Sequence, residues 1–346
     1  MTKAYVRPTA FVDTPVGFDG QVQRLAGGMS FFSAYEVTEG GTRRLVSVAN
    51  IANHADPALI ARITAPRPPL ALGARTIRLD QPQVMGILNM TPDSFSDGGK
   101  HGDDVEAAAS IGFAMETAGA AIIDVGGEST RPGAKPVWEG DEIARTQPVI
   151  ERLARGGATV SIDSRKASVM EAALSAGAVI VNDVSALGFD AQALVLMARS
   201  DCPVIIMHWP DAATHEATSG GNALHDTYDW LETRIEVLEA AGVARSRIIV
   251  DPGIGFGKGV AENLAILNGL ALFHGLGCPI LLGASRKRFI GALSNEAPVE
   301  ARLGGSIAVA MKAAEQGAQI IRVHDVPETV QALKIWRGMR DQGLSG

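Results

Sequence analysis

Polar and charged residues recur at the ends of short aliphatic runs along most of this chain of 346 residues. The runs end in or lead into Asn89, Asp124, Asp163, Asn182 with Asp183, His208, Asp251, the triplet 285–287, and Arg322 with His324. Burying a carboxylate or an amide costs several kcal/mol unless the group is paired. Groups of this kind that converge must pair with one another or with a ligand, and we interpret them as one binding site.

The candidate residues divide into two chemical sets. The first set consists of carboxylates and an amide, namely Asp163, Asn182 and Asp251. These groups accept hydrogen bonds from ring N–H and exocyclic amino groups, as on a 2-amino-4-oxopyrimidine edge, and the amide also donates. The second set offers donors for phosphate oxygens and consists of Asn89, Arg131, Arg322 and His324. Together the two sets predict a heterocyclic ligand that carries a phosphate or a pyrophosphate.

Two long loops after predicted strands carry further candidates. Residues 89–100 (NMTPDSFSDGGK) and 126–136 (GGESTRPGAKP) are rich in Ser, Thr, Gly, Asp and Pro, as expected of loops that close over a site. Turn chemistry explains their Pro and Gly residues. It does not explain Phe95 between serines in the first loop or Arg131 at the centre of the second, so we expect both to contact a ligand.

Two shorter segments add a wall and a basic cluster. Residues 251–258 (DPGIGFGK) resemble a glycine-rich phosphate loop but lack the ending of a Walker A motif. We expect the glycines to let backbone approach a flat ligand closely, with Phe256 as a wall and Lys258 on the surface. Residues 285–287 (SRK) place a hydroxyl and two cations at the mouth of the site.

The elements that position these residues alternate between strand and helix from about residue 84 onward. The runs that predict strands are VMGIL, AIIDV, TVSID, VIVND, VIIMH, IIVDP, ILLG and IIRVH, and they alternate with Ala-rich amphipathic segments. Eight strands and their helices over about 260 residues predict an α/β fold, a (β/α)8 TIM barrel. In such a barrel the C-terminal strand ends face one common site, which is where the polar residues fall.

Residues 1–80 do not follow this alternation. They contain a predicted strand (RRLVSVAN), a short predicted helix (DPALIARIT) and the Pro-rich segment APRPP. We therefore divide the chain into a small N-terminal α+β extension of unknown role, residues 1–80, and the barrel, residues 81–346.

Composition limits the partners. The chain has 31 Lys and Arg against 38 Asp and Glu, which gives a net charge of −7, and it has no basic run. These values argue against a nucleic acid or an anionic membrane as the main partner. The N-terminus has no apolar segment of signal-peptide length, and no stretch approaches 18 apolar residues, so we expect a cytoplasmic protein.

Seven segments resemble the successive motifs of the dihydropteroate synthase family. They are MGILNMTPDSFSDGG (85–99), IIDVGGESTRPGA (122–134), SIDSRK (161–166), VNDVSA (181–186), DPGIGFGK (251–258), GASRK (283–287) and RVHD (322–325). The resemblance implies a folate-pathway transferase. Such an enzyme condenses 6-hydroxymethyl-7,8-dihydropterin pyrophosphate with 4-aminobenzoate and releases 7,8-dihydropteroate and pyrophosphate. It also implies Mg²⁺ as cofactor, a homodimer, and membership of a family that sulfonamides target.

The resemblance also implies roles for individual residues. The pterin is held by Asp163, Asn182, Asp251 and Lys287, with Asp124 close by and with Met207 and Phe256 shaping the pocket. Pyrophosphate is bound by Asn89, Thr130, Arg322 and His324, and Asn89 is also a magnesium ligand. The 4-aminobenzoate site is formed by Phe95, Asp97, Thr130, Arg131, Pro132, Ser285, Arg286 and Lys287. The residues implied in catalysis are Asp97, Asp163, Lys287, Arg322 and His324.

Other functions remain open at this stage. A methyltetrahydrofolate-dependent methyltransferase resembles this family in its barrel and its Asp/Asn set, but it would not need the two long loop motifs or the RVHD motif. A non-catalytic pterin-binding paralogue would be expected to have lost the anion-site residues, all of which are present here. Arg288 departs from the family pattern, which has a small residue at that position, and it adds charge near the 4-aminobenzoate mouth.

Overall fold

The computed structural model describes residues 3–73, 75–90, 101–129, 136–209 and 221–344, and for 101–104 the backbone alone. The N-terminal extension begins with an antiparallel sheet in which the nine-residue strand β3 is central. Its strands are β1 (Ala4–Val12), β2 (Gln23–Arg24), β3 (Phe31–Glu39) and β4 (Thr42–Ser47). Phe32, Tyr35 and Val37 of β3 are fully buried against Ile63 of helix α1 (Pro57–Thr64). The extension therefore has an apolar core of its own, and the predicted strand and helix are both present.

The rest of the chain forms the predicted barrel. Its strands are β7 (Gln83–Asn89), β8 (Ile122–Gly126), β9 (Val160–Asp163), β10 (Ile180–Asp183), β11 (Val204–Met207), β12 (Ile248–Asp251), β13 (Leu281–Leu282) and β14 (Ile320–Val323). All neighbouring strands are parallel, in the order β12-β11-β10-β9-β8-β7-β14-β13, and a bridge between Val250 and Ile280 brings β12 next to β13. The fold is a nearly closed (β/α)8 barrel, as the alternation predicts.

Helices surround the strands. They are α2 (His101–Ala118), α3 (Glu139–Arg155), α4 (Ala167–Ala176), α5 (Ala191–Arg199), α6 (Ala223–Ala240), α7 (Val260–Asn268), α8 (Arg288–Leu293), α9 (Leu303–Glu315) and α10 (Val326–Leu344). Local sequence fixes several of their ends: Asp190 caps α5 by accepting from Gln192 N, and α4 stops at Gly177, whose φ of 110° favours glycine. None of the helices in the described ranges is long and apolar enough to cross a membrane.

A hairpin at the end of the extension closes the bottom of the barrel. Strands β5 (Leu70–Leu72) and β6 (Arg75–Ile77) pair antiparallel. The buried side chains of this hairpin pack on residues near the N-terminal ends of seven barrel strands. The cluster comprises Leu70, Leu72, Ile77 and Leu79 with Met85, Ile122, Ile180, Ile205, Ile249, Leu281 and Ile320. The bottom of the barrel is thus apolar and filled.

The extension also packs against the outside of the barrel. The Tyr5 hydroxyl donates to Asp229 of α6 (2.6 Å), and the Tyr5 ring stacks on His225 with centroids 3.8 Å apart. At the other side of the extension, Arg340 of α10 donates to the carbonyl of Met29 (2.9 Å). These contacts join the extension to helices on two sides of the barrel.

Candidate active site

Three strand-end side chains meet around one guanidinium at the C-terminal end of the barrel. Arg322 of β14 donates from Nε to Asp124 Oδ2 (2.6 Å) and from Nη2 to Asp163 Oδ2 (2.7 Å). Asn182 of β10 donates from Nδ2 to the same oxygen of Asp124 (3.0 Å). Because β14 is separated from β8 and β9 in the sheet by β7, Arg322 reaches across the barrel interior. The expected convergence of these four residues is present, and it takes the form of an ion-pair network.

The two carboxylates of this network lie in low-dielectric surroundings. Asp124 is fully buried, and its Oδ1 has no hydrogen-bond partner among the residues that the structure describes. Burial raises the pKa of Asp163 to about 7, while the positive charge of Arg322 opposes the rise and the negative charge of Asp124 adds to it. A buried acceptor without a donor costs about 1–3 kcal/mol, so a ligand N–H at Asp124 would remove a penalty that the free protein carries.

Asp183, the other polar residue at the end of β10, has a structural role. Its Oδ1 accepts from the backbone N–H and the hydroxyl of Ser185, both at 2.7 Å, and its Oδ2 accepts from Leu187 N at 2.8 Å. These bonds hold a turn in which Ala186 and Leu187 both have positive φ, 53° and 61°. The carboxylate therefore serves the loop that follows it, and the expectation that it belongs to the binding set is wrong.

The end of β11 shows how alternation separates a ligand-facing residue from a core residue. Met207 packs in a cluster with Val184, Trp209 and Phe256. The next residue, His208, packs edge-on against Trp230 of α6 with ring centroids 5.1 Å apart. Burial, together with the nearby positive charge of Lys258, lowers the pKa of His208 to about 2. His208 is therefore a neutral core residue, whereas Met207 lies beside the predicted pocket wall.

The glycine-rich segment 251–258 forms a compact loop that starts at Asp251. Asp251 accepts from Gly253 N at 2.7 Å, and burial raises its pKa while Lys287 opposes the rise. Lys258 does not lie free on the surface as expected. Its ammonium donates to three backbone carbonyls, and burial lowers its pKa to about 7. The loop folds around its own lysine, which sequence spacing did not indicate.

Lys287 lies over the predicted wall. Its Nζ is 4.4 Å from the centroid of the Phe256 ring and donates to the carbonyl of Ile254. Burial lowers the pKa of Lys287 to about 8, and Asp251 opposes the fall. The pterin residues inferred from the resemblance at 251, 256 and 287 are thus brought together, on the opposite side of Arg322 from Asp124.

The basic cluster at the end of β13 is tied to the end of β14. Arg286 donates through two nitrogens to both oxygens of Asp325, and one of these distances is 3.0 Å. Ser285 Oγ lies 3.0 Å from His324 Nδ1 and accepts from His324 N at 3.2 Å. The residues inferred for the 4-aminobenzoate site and the anion site are therefore in direct contact.

Several predicted residues lie outside the described ranges. Asn89 is described and ends β7 in a half-buried position, in register with Gly126 of β8. The residues that fall outside are Phe95, Asp97, Thr130, Arg131 and Pro132. Their roles therefore stay predictions.

Sequence reasoning missed a charged cluster beside the site. Lys166 donates to Glu142 Oε2 (2.6 Å) and to the carbonyl of Val137 (2.7 Å). Glu128 accepts from Val137 N (3.0 Å) and pairs with Arg165 (3.2 Å). The available signal was positional, since residue 128 follows β8 and residues 165–166 follow β9.

Comparison with known proteins agrees with this geometry. The family of pterin binding enzymes matches residues 85–324. The dihydropteroate synthase of Escherichia coli (strain K12) is 44% identical over 75% of this chain and 92% of its own length. A structure of Xanthomonas albilineans dihydropteroate synthase with 4-aminobenzoic acid superposes with a TM-score of 0.75 at 44% identity, covering 79% of this chain and 98% of that one. Another structure, of the same Xanthomonas enzyme with 7,8-dihydropteroate, gives 0.72 at 42%, covering 79% of this chain and 99% of that one.

The chain is a (β/α)8 barrel in which carboxylates, an amide and cations at the strand ends meet at one site. The family of pterin binding enzymes matches most of this barrel, so the chain is a pterin-binding enzyme. The chain is 44% identical to the Escherichia coli enzyme and 42% identical to the dihydropteroate synthase of Bacillus subtilis (strain 168), over 92% and 89% of their lengths. The chain belongs to the dihydropteroate synthase family.

Proposed function

We propose that this enzyme forms 7,8-dihydropteroate and pyrophosphate from 6-hydroxymethyl-7,8-dihydropterin pyrophosphate and 4-aminobenzoate at the C-terminal end of its barrel. The observation that carries the proposal is the network of Arg322 with Asp124 and Asp163, in which a buried carboxylate oxygen of Asp124 has no partner in the described structure. A pterin supplies ring N–H and amino donors for such oxygens. The pyrophosphate that it carries would lie beside the guanidinium.

Pterin recognition follows from two sides of the pocket. On one side Asp124, Asp163 and Asn182 present oxygens to the donor-rich edge of the ring. On the other side Lys287 and Phe256 form a cation–π pair that offers a flat wall and a donor. Because hydrogen bonds and the cation–π contact already hold both sides in place, we expect binding to need little rearrangement of the protein.

The bond to be broken joins a methylene on an electron-rich ring to pyrophosphate, so cleavage places an electron pair on the departing oxygen and leaves a stabilised cation. Arg322 uses two nitrogens for carboxylates, and a guanidinium has five N–H donors, so donors remain for the leaving group. His324 adds a further donor. The negative charge of Asp163 favours the cation, and the amine of 4-aminobenzoate then attacks it and loses a proton.

Magnesium fits the donor set at the end of β7. Mg²⁺ usually keeps several waters and binds one or two protein oxygens together with substrate phosphates. The described residues contain no cluster of three or more His, Cys, Asp or Glu side chains that would hold a metal without substrate. We propose that the amide oxygen of Asn89 supplies the protein ligand, so that the ion neutralises charge on pyrophosphate when substrate is bound. Removal of divalent cations by EDTA should abolish turnover, and added Mg²⁺ should restore it.

The 4-aminobenzoate site is proposed beside the cluster of Ser285, Arg286 and His324. The guanidinium of Arg286 is oriented by Asp325 and the hydroxyl of Ser285 by His324, so both are fixed before substrate arrives. The carboxylate of 4-aminobenzoate would accept from these groups. Sulfonamides would then inhibit by competing with 4-aminobenzoate and not with the pterin.

We further propose that the enzyme acts in the cytoplasm as a homodimer. Both cysteines of the chain are free thiols, as is typical of a reducing compartment. Helix α10 exposes Ile335 and Met339 one turn apart on the same face, 63% and 65% exposed, and this pair suits burial against a second copy. Light scattering at micromolar protein should give twice the chain mass, and the monomer mass would refute the dimer.

The function is tested by product analysis. Purified protein is incubated with the pterin pyrophosphate and Mg²⁺, with and without 4-aminobenzoate, and dihydropteroate is detected by mass spectrometry. We expect product only in the complete mixture. Pterin binding without product would indicate a non-catalytic pterin-binding protein and would overturn the proposal.

A further inference from the structure

The ammonium of Lys258 is enclosed by backbone carbonyls. Its Nζ donates to the carbonyls of Gly253 (2.8 Å), Phe256 (3.1 Å) and His208 (3.3 Å). Two of these carbonyls belong to the loop 251–258 itself, and the third belongs to the residue after β11. The ammonium therefore joins the loop to the neighbouring strand end, in the way that a bound cation would.

The backbone conformation of the loop brings these carbonyls close together. Gly253, Gly255 and Gly257 have φ values of +68°, +82° and +60°, and in this backbone the carbonyls of Gly253 and Phe256 both face the Lys258 ammonium. A Cβ on Gly253 would lie 2.2 Å from the His208 carbonyl oxygen, so only glycine fits this close approach. Carbonyl oxygens that converge in this way repel one another unless a cation or a set of donors lies between them.

Asn263 of α7 fixes the loop from the other side. Its Oδ1 accepts from Gly255 N at 2.7 Å, and its Nδ2 donates to the carbonyls of Lys258 (3.1 Å) and Gly259 (2.8 Å). Asn263 is almost fully buried. The loop is thus held by a lysine within it and an asparagine behind it.

This loop presents one whole wall of the pterin pocket. Phe256, near its end, contacts Trp209 (centroids 4.9 Å apart) and lies under the Lys287 ammonium at 4.4 Å. The carbonyl of Ile254 accepts from Lys287. Asp251, at its start, is tied to the loop through Gly253 N. A shift of the loop would therefore displace the carboxylate, the aromatic ring and the cation together.

We propose that Lys258 is a positioning residue for the pterin substrate, because its ammonium folds the loop 251–258 into the shape that places Asp251, Phe256 and Lys287. The inference rests on the proposed function of the pocket as a pterin site. The ammonium of Lys258 donates all three of its hydrogen bonds to backbone carbonyls. Lys258 therefore affects the substrate only by holding the loop in place. Its loss should weaken binding of the pterin far more than binding of 4-aminobenzoate. Of the residues inferred for the 4-aminobenzoate site only Lys287 contacts this loop, whereas Ser285 and Arg286 are held by His324 and Asp325.

The test compares Lys258→Met with Lys312→Met. Methionine keeps most of the side-chain length and removes the charge, and Lys312 is a half-exposed surface lysine of α9 that pairs with Glu315 at 3.8 Å. For Lys258→Met we expect the KM for the pterin pyrophosphate to rise at least tenfold and the KM for 4-aminobenzoate to change less than twofold. Titration with the pterin pyrophosphate in the absence of 4-aminobenzoate should show the same tenfold loss. Lys312→Met should match the wild type in both.

Unchanged pterin affinity in Lys258→Met, or an equal rise in both KM values, would overturn the inference. Absence of dihydropteroate formation by the wild type would instead overturn the proposed function, so the two failures are distinguishable. Circular dichroism and thermal unfolding show whether Lys258→Met is folded. If Lys258→Met is unfolded, Asn263→Ala removes the other side chain that holds the loop. In that variant we expect the KM for the pterin pyrophosphate alone to rise about threefold. No change, or an equal change in both KM values, would contradict the inference.

Discussion

The two ends of the barrel differ in the residues that its strands place there. At the N-terminal end, buried aliphatic residues and a methionine from seven barrel strands pack on the hairpin formed by β5 and β6. At the C-terminal end the same sheet presents Asp124, Asp163 and Arg322 in one ion-pair network. Strand β8 shows the change within three residues, from Ile122 in the apolar cluster to Asp124 in the network. Apolar packing closes one end of the barrel, and polar groups that could bind a ligand lie at the other.

This division has an energetic reason. Charged groups that lose their water are stabilising only when they are well paired, and Asp124 keeps one oxygen without a partner in the described structure. The apolar closure at the bottom offsets such costs without restricting the groups at the top. Changes at the top should therefore alter activity, and changes at the bottom should alter stability.

The largest effect is expected from Arg322→Met. The change leaves Asp124 and Asp163 buried without their shared cation and removes donors for the leaving group, so kcat/KM should fall about a thousandfold. Steady-state kinetics measures this, with Arg337→Met on the exposed face of α10 as the control. A fall in kcat/KM of less than tenfold in a folded variant would show that Arg322 does not have this central role in the site.

Asp163→Asn should lower turnover by about a hundredfold or more. The amide keeps the size of the side chain and removes the negative charge that favours the cation. The comparison is made on kcat at saturating concentrations of both substrates. A variant with full activity would refute the electrostatic role of Asp163.

At the other end of the strands, Leu72→Ala should destabilise the protein and leave its kinetics unchanged. Leu72 is 6% exposed within the apolar cluster, and truncation of a buried leucine costs about 2 kcal/mol or more. Denaturant unfolding gives the free energy, and both KM values should stay within twofold of the wild type. A large kinetic effect would show that the two ends are coupled.

The pH dependence of catalysis should show whether Asp163, at the C-terminal end of the barrel, acts in its ionised form. Burial raises the pKa of Asp163 to about 7, so the carboxyl is increasingly protonated below that pH. Because the ionised form is needed and this pKa is that of the free protein, kcat/KM should decline by about tenfold per pH unit below 7 and reach a plateau above it. The Asp163→Asn profile should lack this acidic limb, and an identical limb in both proteins would assign it to another group.

The smallest effect is expected from Lys3→Met. Lys3 pairs with Asp229 and Glu232 at the surface where the extension meets α6. Exposed ion pairs contribute less than about 1 kcal/mol, and salt screens them. The loss of unfolding free energy should therefore disappear in about 1 M salt, whereas the loss in Leu72→Ala should persist.

Much of the fold could be predicted because its periodicity is local. Each of the eight aliphatic runs is a strand of the barrel, and the strand-end rule located Asp124, Asp163, Asn182 and Arg322. The hairpin of β5 and β6 was not predicted. Its strands have three residues each, which is too short for a period to be read, and their burial depends on the barrel that they close.

The residues that were wrongly predicted from the sequence have side chains that point away from the site. Asp183 and His208 end strands as Asp163 does, yet one turns into its own loop and the other packs against a helix. Lys258 was misplaced because its partners are backbone carbonyls, which no residue type reveals. Spacing gives the position of a residue along the chain, but contacts decide where its side chain lies.

The most direct test of the account measures binding at both ends. Titration of the pterin pyrophosphate without 4-aminobenzoate is carried out on the wild type, on Asp124→Asn at the top and on Asp80→Asn at the bottom, where Asp80 pairs with Arg78. We expect Asp124→Asn to lose about a hundredfold in affinity for the pterin pyrophosphate, and Asp80→Asn to bind it within twofold of the wild type. Equal affinity in all three proteins would show that the pterin does not bind at the carboxylate network, and the central claim would be wrong.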